Sequence, residues 1–211
     1  MRGLIKKDLL LLKGNLKVII IVLLGFTIMA LYGMNEMSFI LPVICVMLIM
    51  STFSYDDYNK WDAYAITLPK GRENAIKSKY ISTFILIGLG TLFTVLMYVL
   101  VILLKGNINL EYLAGNLLGG VIATILIVIF MYPVIYKFGV EKGRIAMFLG
   151  VFLLIAVCGI LFSMIDKLEF DWSFLLNWFN YYWYIVIPLI LIIGLIISYQ
   201  ISKKIYMNKE F

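Results

Sequence analysis

Six long stretches of this sequence contain no aspartate, glutamate, lysine or arginine and consist almost entirely of apolar residues. They cover about residues 18–34, 38–55, 80–104, 112–136, 145–165 and 182–202. A helix needs about 17 to 25 such residues to cross the hydrocarbon core of a bilayer. The sequence therefore predicts an all-α integral membrane protein with six transmembrane helices, forming a single transmembrane domain over residues 1–211.

The composition excludes most soluble functions. Hydrophobic residues make up 64% of the chain and charged residues 14%, against about 45–50% and 25% in a typical soluble domain. The chain has no histidine, which removes the commonest general base and metal ligand. We therefore expect no catalytic residue, no metal site and no cofactor in this chain. Because the apolar stretches also lack ionisable residues, an ion-coupled carrier is disfavoured.

The basic residues indicate the orientation. All of the 18 lysines and arginines except Lys105 and Lys167 lie within four segments, 1–17, 56–79, 137–144 and 203–209. These segments fall on one side of a six-helix arrangement, and such an excess of positive charge marks the cytoplasmic side. We expect both termini to be cytoplasmic and the net charge of +6 to face anionic lipid, so that no nucleic acid is needed as a partner.

The N-terminal segment 1–17 has helical periodicity. Leu4, Ile5, Leu9 and Leu12 recur at helical spacing, and charged residues fill other positions. This pattern predicts an amphipathic helix in the cytoplasmic membrane interface. The alternative interpretation is a charge cluster that only sets the topology.

Five short motifs around the first two apolar stretches carry a family resemblance. They are Lys6-Lys7-Asp8-Leu9, Phe53-Ser54-Tyr55-Asp56, Lys60-Trp61-Asp62-Ala63-Tyr64, Leu68-Pro69-Lys70-Gly71-Arg72 and Lys79-Tyr80. Together they resemble the small six-helix permeases of the ABC-2 type. Among these, the chain is most similar to the membrane subunit of phenol-soluble modulin exporters, which move amphipathic helical peptides out of Gram-positive bacteria.

The resemblance implies a multi-pass protein of the bacterial plasma membrane that forms a permease dimer above two ATP-hydrolysing subunits. The sequence contains no G-x-x-x-x-G-K-[ST] phosphate-binding loop, so ATP and Mg²⁺ must be bound by the partner subunit. By the resemblance, the polar loop 56–79 is a cytoplasmic coupling loop, and its short helix Tyr58 to Ala65 contacts the ATPase. The implied contact residues are Tyr58, Lys60, Trp61, Asp62, Tyr64 and Arg72, with Glu141 and Lys142 of the next inner loop as weaker candidates.

Small residues recur at helical spacing in two of the apolar stretches. Gly115, Gly119 and Ala123 are four apart, as are Ala146 and Gly150. Such spacing permits close helix approach in membranes. The pattern allows packing within one subunit or, for the fifth stretch, pairing between subunits.

Three classes of function remain. The first is an ABC exporter permease that moves amphipathic or hydrophobic peptides of the modulin or antimicrobial type. The second has the same fold but exports lipid or small drugs, or gives immunity to a bacteriocin. The third is a membrane scaffold without transport activity.

Overall fold

The computed structural model describes residues 2–14, 16–32, 40–67, 71–105, 110–145, 149 and 173–209. Within these ranges the chain is helical with short turns and contains no strand. The helices are α1 (Arg2–Lys13), α2 (Leu16–Leu31), α3 (Ile40–Met47), α4 (Ile49–Tyr58), α5 (Trp61–Thr67), α6 (Gly71–Lys105), α7 (Leu110–Phe138) and α8 (Ser173–Met207). Residues 140–145 are helical as well. The all-helical prediction is confirmed for the described part of the chain.

Four segments of the described chain are long and apolar enough to cross a membrane. They are Ile40–Tyr58, Gly71–Leu104, Leu113–Phe138 and Tyr182–Met207. The apolar part of α2, Ile20–Leu31, is shorter. Almost all of the predicted fifth stretch, 145–165, lies outside the described residues, so the count of six spans stays a prediction.

Helix α6 extends well beyond the apolar stretch from which it was predicted. It begins at Gly71, whereas the apolar stretch begins at Tyr80. The added first turns contain good helix formers, and Glu73 pairs with Lys77 one turn later at 3.1 Å. A carboxylate in the first turn also interacts favourably with the helix dipole. Consequently Lys79 lies inside a continuous helix and not in a loop.

The chain divides into two compact units, and the first comprises Met1–Ile127 with Tyr206–Phe211. Its buried core cluster draws on α2, α3 and α6 and consists of Ala30, Leu41, Met97, Tyr98 and Val101. The hydroxyl of Tyr98 accepts a hydrogen bond of 2.6 Å from the side-chain amide of Asn116 in α7. This bond satisfies a phenol that is completely buried, which matters because an unpaired polar group in an apolar core is costly.

Helices α3 and α6 approach each other at a glycine in this unit. A Cβ atom built on Gly90 would lie 2.6 Å from the Cα of Pro42 and 3.2 Å from the Cβ of Cys45. Side chains larger than hydrogen therefore do not fit between the two backbones. Gly88, on the same helix, has no atom of the described residues within 4 Å of such a Cβ. Only one of these two glycines is thus required by packing.

The second unit, Val128–Ile205, contains a proline inside a helix. Pro133 lies within α7 and has no N–H, so the carbonyl of Ile129 loses its normal helical donor. The hydroxyl of Ser198 in α8 donates a hydrogen bond of 2.8 Å to this carbonyl. A Cβ on Gly194, one turn before Ser198, would lie 2.8 Å from Cδ1 of Ile129. The glycine therefore permits the close approach at which the serine satisfies the carbonyl.

We expect Ser198→Ala to destabilise the protein by about 0.5–2 kcal/mol, the range measured for hydrogen bonds between membrane helices. Thermal unfolding of the detergent-purified protein measures this change. The matched background is Pro133→Ala, which restores the N–H donor within α7. In the Pro133→Ala background, Ser198→Ala should destabilise the protein clearly less. An identical loss of stability in both backgrounds would contradict the role of Ser198 in satisfying the carbonyl of Ile129.

Candidate functional site

Four charged residues in the first unit form a largely buried group, which we call the charge cluster: Lys7, Asp8, Asp56 and Lys79. The relative exposure is 0% for Asp8, 6% for Lys79 and 8% for Asp56, and Lys7 is half-buried. Charged side chains are almost never buried unless they are paired. The cluster joins α1, α4 and α6, and α1 packs against both other helices.

Lys79 is the centre of the cluster. Its Nζ atom lies 3.0 Å from Oδ1 of Asp8 and 2.7 Å from Oδ2 of Asp56. It also donates a 2.9 Å hydrogen bond to the hydroxyl of Thr52. The same ammonium group lies 4.7 Å from the centroid of the Phe53 ring. A lysine has three N–H donors, and these oxygens provide an acceptor for each of them.

Lys7 completes the cluster from the N-terminal helix. Its Nζ atom is bonded to Oδ1 of Asp56 and lies 3.6 Å from Oδ1 of Asp8. Ser82 lies 3.4 Å from the other carboxylate oxygen of Asp8, to which it donates. Two lysines and two aspartates balance in charge, so the cluster carries no net charge. Such an arrangement tolerates burial because each ion is compensated and hydrogen-bonded.

A sharp turn separates α4 from α5. Lys60 has φ of 49°, a left-handed conformation that is uncommon for a residue other than glycine. The N–H of Asn59 and its side-chain amide both donate to the carbonyl of Tyr55, at 3.0 and 2.8 Å. These bonds end α4 at Tyr58. The short helix predicted to begin at Tyr58 therefore begins at Trp61 and runs to Thr67, because the left-handed residue interrupts the helix.

The first residue of α5 rests on the charge cluster. The ring of Trp61 lies under Lys7, whose Nζ atom is 4.3 Å from the ring centroid. Trp61 also contacts Tyr64, with ring centroids 5.0 Å apart. A cation over an aromatic face contributes about 0.5–2 kcal/mol, depending on desolvation. Helix α5 is therefore attached to α1 through Lys7.

The sequence family is established by the comparison with known proteins. The family described as ABC-2 family transporter protein matches residues 3–207. The chain belongs to this family. No curated protein and no solved structure matches the chain significantly.

Because the chain belongs to this family, it is the membrane subunit of an ABC transporter. Such ABC-2 permeases work with an ABC ATPase subunit. The resemblance to ABC-2 type permeases is thus confirmed. The closer similarity to phenol-soluble modulin exporters stays a prediction.

The predicted ATPase-contact residues fall into two groups in the permease. In the first unit, Tyr58 and Tyr64 have exposures of 87% and 55%, and Lys60 is exposed. Trp61 is half-buried over Lys7, and Asp62 also lies on α5. The exposed aromatic surface next to the charge cluster is therefore provided by Tyr58 and Tyr64.

The remaining predicted contacts are Arg72, Glu141 and Lys142. Arg72 is half-buried at the start of α6, where its guanidinium donates to the carbonyl of Met207. Glu141 and Lys142 are exposed residues of the second unit. Their role in ATPase contact stays a prediction.

The small residues predicted to mediate packing are only partly described. A Cβ on Gly115 or Gly119 would have no atom of the described chain within 4 Å. Ala146 and Gly150 lie outside the described residues. The close approaches that are described involve other glycines, Gly90, Gly143 and Gly194. Use of the predicted small-residue positions in helix or subunit packing stays a prediction.

All four residues of the charge cluster belong to the sequence motifs given above. The sequence alone did not identify them as one site. One local signal was present, because Asp8 is the sole acidic residue among residues 1–17. An acidic residue on an otherwise basic helix needs a cation nearby if it is buried. The partner could not be read from the sequence, since Asp8 and Lys79 are 71 positions apart.

Proposed function

We propose that this permease exports amphipathic or hydrophobic peptides, driven by ATP hydrolysis in a separate subunit. In this proposal the chain spans a bacterial plasma membrane six times, with both termini cytoplasmic. Two copies pair, and each contacts an ATPase subunit through α5. ATP and Mg²⁺ bind only to the ATPase.

The observation that carries the proposal is a pair of exposed aromatic residues on either side of the turn between α4 and α5. Tyr58 ends α4 and Tyr64 lies on α5, both side chains are exposed, and Trp61 holds α5 against Lys7 of the charge cluster. Exposed aromatic residues on a rigid support are typical of the central contacts in protein interfaces. A partner bound to Tyr58 and Tyr64 can transmit force to α1, α4 and α6, the helices that meet at the charge cluster.

We expect Tyr64→Ala to weaken binding of the ATPase subunit about tenfold, or about 1.4 kcal/mol. The measurement is binding of the purified ATPase to the permease in nanodiscs. Tyr184→Ala is the matched control, because Tyr184 on α8 is similarly exposed at 58% but lies at the end predicted to face outside. Equal binding by both variants would reject α5 as the docking helix.

The substrate class follows from the chemistry of the membrane helices. The stretches 80–104, 112–136 and 182–202 contain no Asp, Glu, Lys or Arg, and their exposed side chains are mainly Leu, Ile, Val and Phe. Such surfaces bind in proportion to apolar area, about 25 cal/mol per Å², and offer no fixed charge for a particular head group. An amphipathic helix that enters from the inner leaflet already presents the matching apolar face.

The test is a peptide series of constant length, composition and net charge. In half of the series, the residues are rearranged so that no apolar face forms. We expect amphipathic members to stimulate ATP hydrolysis in the reconstituted complex at least about fivefold better than rearranged members, because only they bury a continuous apolar face.

The alternatives make different predictions in the same assay. Equal stimulation by both halves of the series contradicts selection by amphipathicity. Stimulation by lipid or small drugs alone would support the second class of function. Failure to bind any ATPase subunit would support a scaffold.

A further inference from the structure

Lys7 connects two parts of the first unit that are far apart in sequence. Its ammonium group lies over the ring of Trp61 on α5 and is bonded to Asp56 of α4, 49 positions away. It also approaches Asp8, which in turn binds Lys79 of α6. One side chain of α1 therefore contacts the proposed docking helix and the buried carboxylates.

Displacement of α5 has a physical consequence at this point. Separating Lys7 from its carboxylates would leave buried charge uncompensated, which costs more than moving the charged groups together. These charged groups lie on α1, α4 and α6, and two features link them to α5: the contact of Lys7 with Trp61 and the short turn that joins the end of α4 to the start of α5. The charge cluster should therefore move as one body with α5.

The cluster also lies near the N-terminal end of a helix that contains a candidate membrane span. Lys79 belongs to α6, a continuous helix of 35 residues that contains one of the candidate spans. Movement of the cluster along or across the membrane surface is thus applied directly to one end of α6. The N-terminal helix α1 moves with it, because Asp8 is fully buried between the same partners.

We propose that Lys7 is a positioning residue that transmits movement of α5 to α1 and α6, so that the N-terminal helix is a working part of the coupling mechanism. This inference rests on the proposed contact between the ATPase and α5. It assigns no contact between Lys7 and substrate or nucleotide.

The neighbouring lysine provides a matched control. Lys6 has the same charge and length and lies on the same helix, but its side chain is exposed. Lys6→Met and Lys7→Met remove one positive charge each and leave nearly the same apolar stem. Lys7→Arg keeps a cation that can stack on Trp61 and pair with carboxylates.

The experiment measures hydrogen exchange of α1 in the permease–ATPase complex in nanodiscs, with and without ADP trapped by vanadate after ATP hydrolysis. Trapping should change the exchange rates of α1 amides by about tenfold in the unmodified complex and in Lys6→Met. The change should disappear in Lys7→Met and return in Lys7→Arg. If Lys7→Met does not assemble with the ATPase, Lys7→Gln takes its place, because it keeps a donor for the carboxylates without the charge.

Two outcomes would overturn the inference. One is the absence of any nucleotide-dependent change in α1 of the unmodified complex, and the other is the same change in Lys6→Met and Lys7→Met. This measurement needs no peptide. If amphipathic peptides fail to stimulate hydrolysis while α1 still responds to nucleotide through Lys7, the peptide proposal fails and the transmission role stands.

Discussion

Lys79→Met is expected to lower the free energy of unfolding by about 3–5 kcal/mol, the cost of breaking a buried ion pair by removing one partner. Lys79 neutralises two buried carboxylates, those of Asp8 and Asp56. Without it, only Lys7 remains to compensate both. Methionine fills a similar volume, so the loss reports on charge and not on a cavity. Thermal unfolding in detergent, followed by intrinsic fluorescence, measures the change.

The control for this prediction is Lys77→Met on the same helix. Lys77 pairs with Glu73 on the surface at 3.1 Å, and such pairs contribute only about 0.5 kcal/mol. A combined Asp8→Asn and Lys79→Met variant should be more stable than the sum of the single effects predicts, because it removes one charge of each sign. Similar unfolding temperatures for Lys77→Met and Lys79→Met would show that the cluster adds nothing to stability.

Gly90→Ala is expected to destabilise the protein by about 3 kcal/mol, at the upper end of the range for overpacking. The added methyl group would lie 2.6 Å from the Cα of Pro42. A backbone atom on a packed helix cannot move aside as a flexible side chain can. The substitution therefore forces α3 and α6 apart, which also disturbs the core around Tyr98 and Leu41.

Gly88→Ala on α6 is the matched control, and its expected effect has the opposite sign. Within the part of the chain that the structure describes, nothing lies within 4 Å of a Cβ at this position, and alanine is a better helix former than glycine by about 1 kcal/mol. Unfolding temperature should thus be unchanged or slightly higher in Gly88→Ala and clearly lower in Gly90→Ala. Equal effects at both positions would mean that the close approach at Pro42 is not present in the protein.

The helices in the membrane could be predicted because a single property defines them. The apolar stretches 80–104 and 112–136 lie within α6 and α7, since twenty or more apolar residues have few stable conformations other than a membrane helix. Helix ends were less predictable. The polar residues 71–79 continue α6, and no apolar pattern marks that extension.

The periodicity of α1 indicated its apolar face but not the charged residue that is buried with it. Leu4, Ile5 and Leu9 are half-buried, and among the described side chains of this helix the buried ones are Asp8 and Leu12. A residue and its neighbour four positions later lie on the same helix face, so Asp8 belongs with Leu12. Its burial depends on cations that the chain supplies from elsewhere, and pairings between residues so distant in sequence leave no local signal.

The separation between Asp8 and Lys79 has a consequence for biosynthesis. During translation, Asp8 leaves the ribosome 71 residues before the lysine that neutralises it, and domains are synthesised from the N-terminus onward. Until then, burying Asp8 would place its carboxylate in the protein interior without Lys79. Helix α1 should therefore remain at the membrane surface while α2, α3 and α4 insert, and dock only when the first turns of α6 emerge. The N-terminal helix, although made first, should thus reach its final position after α2, α3 and α4.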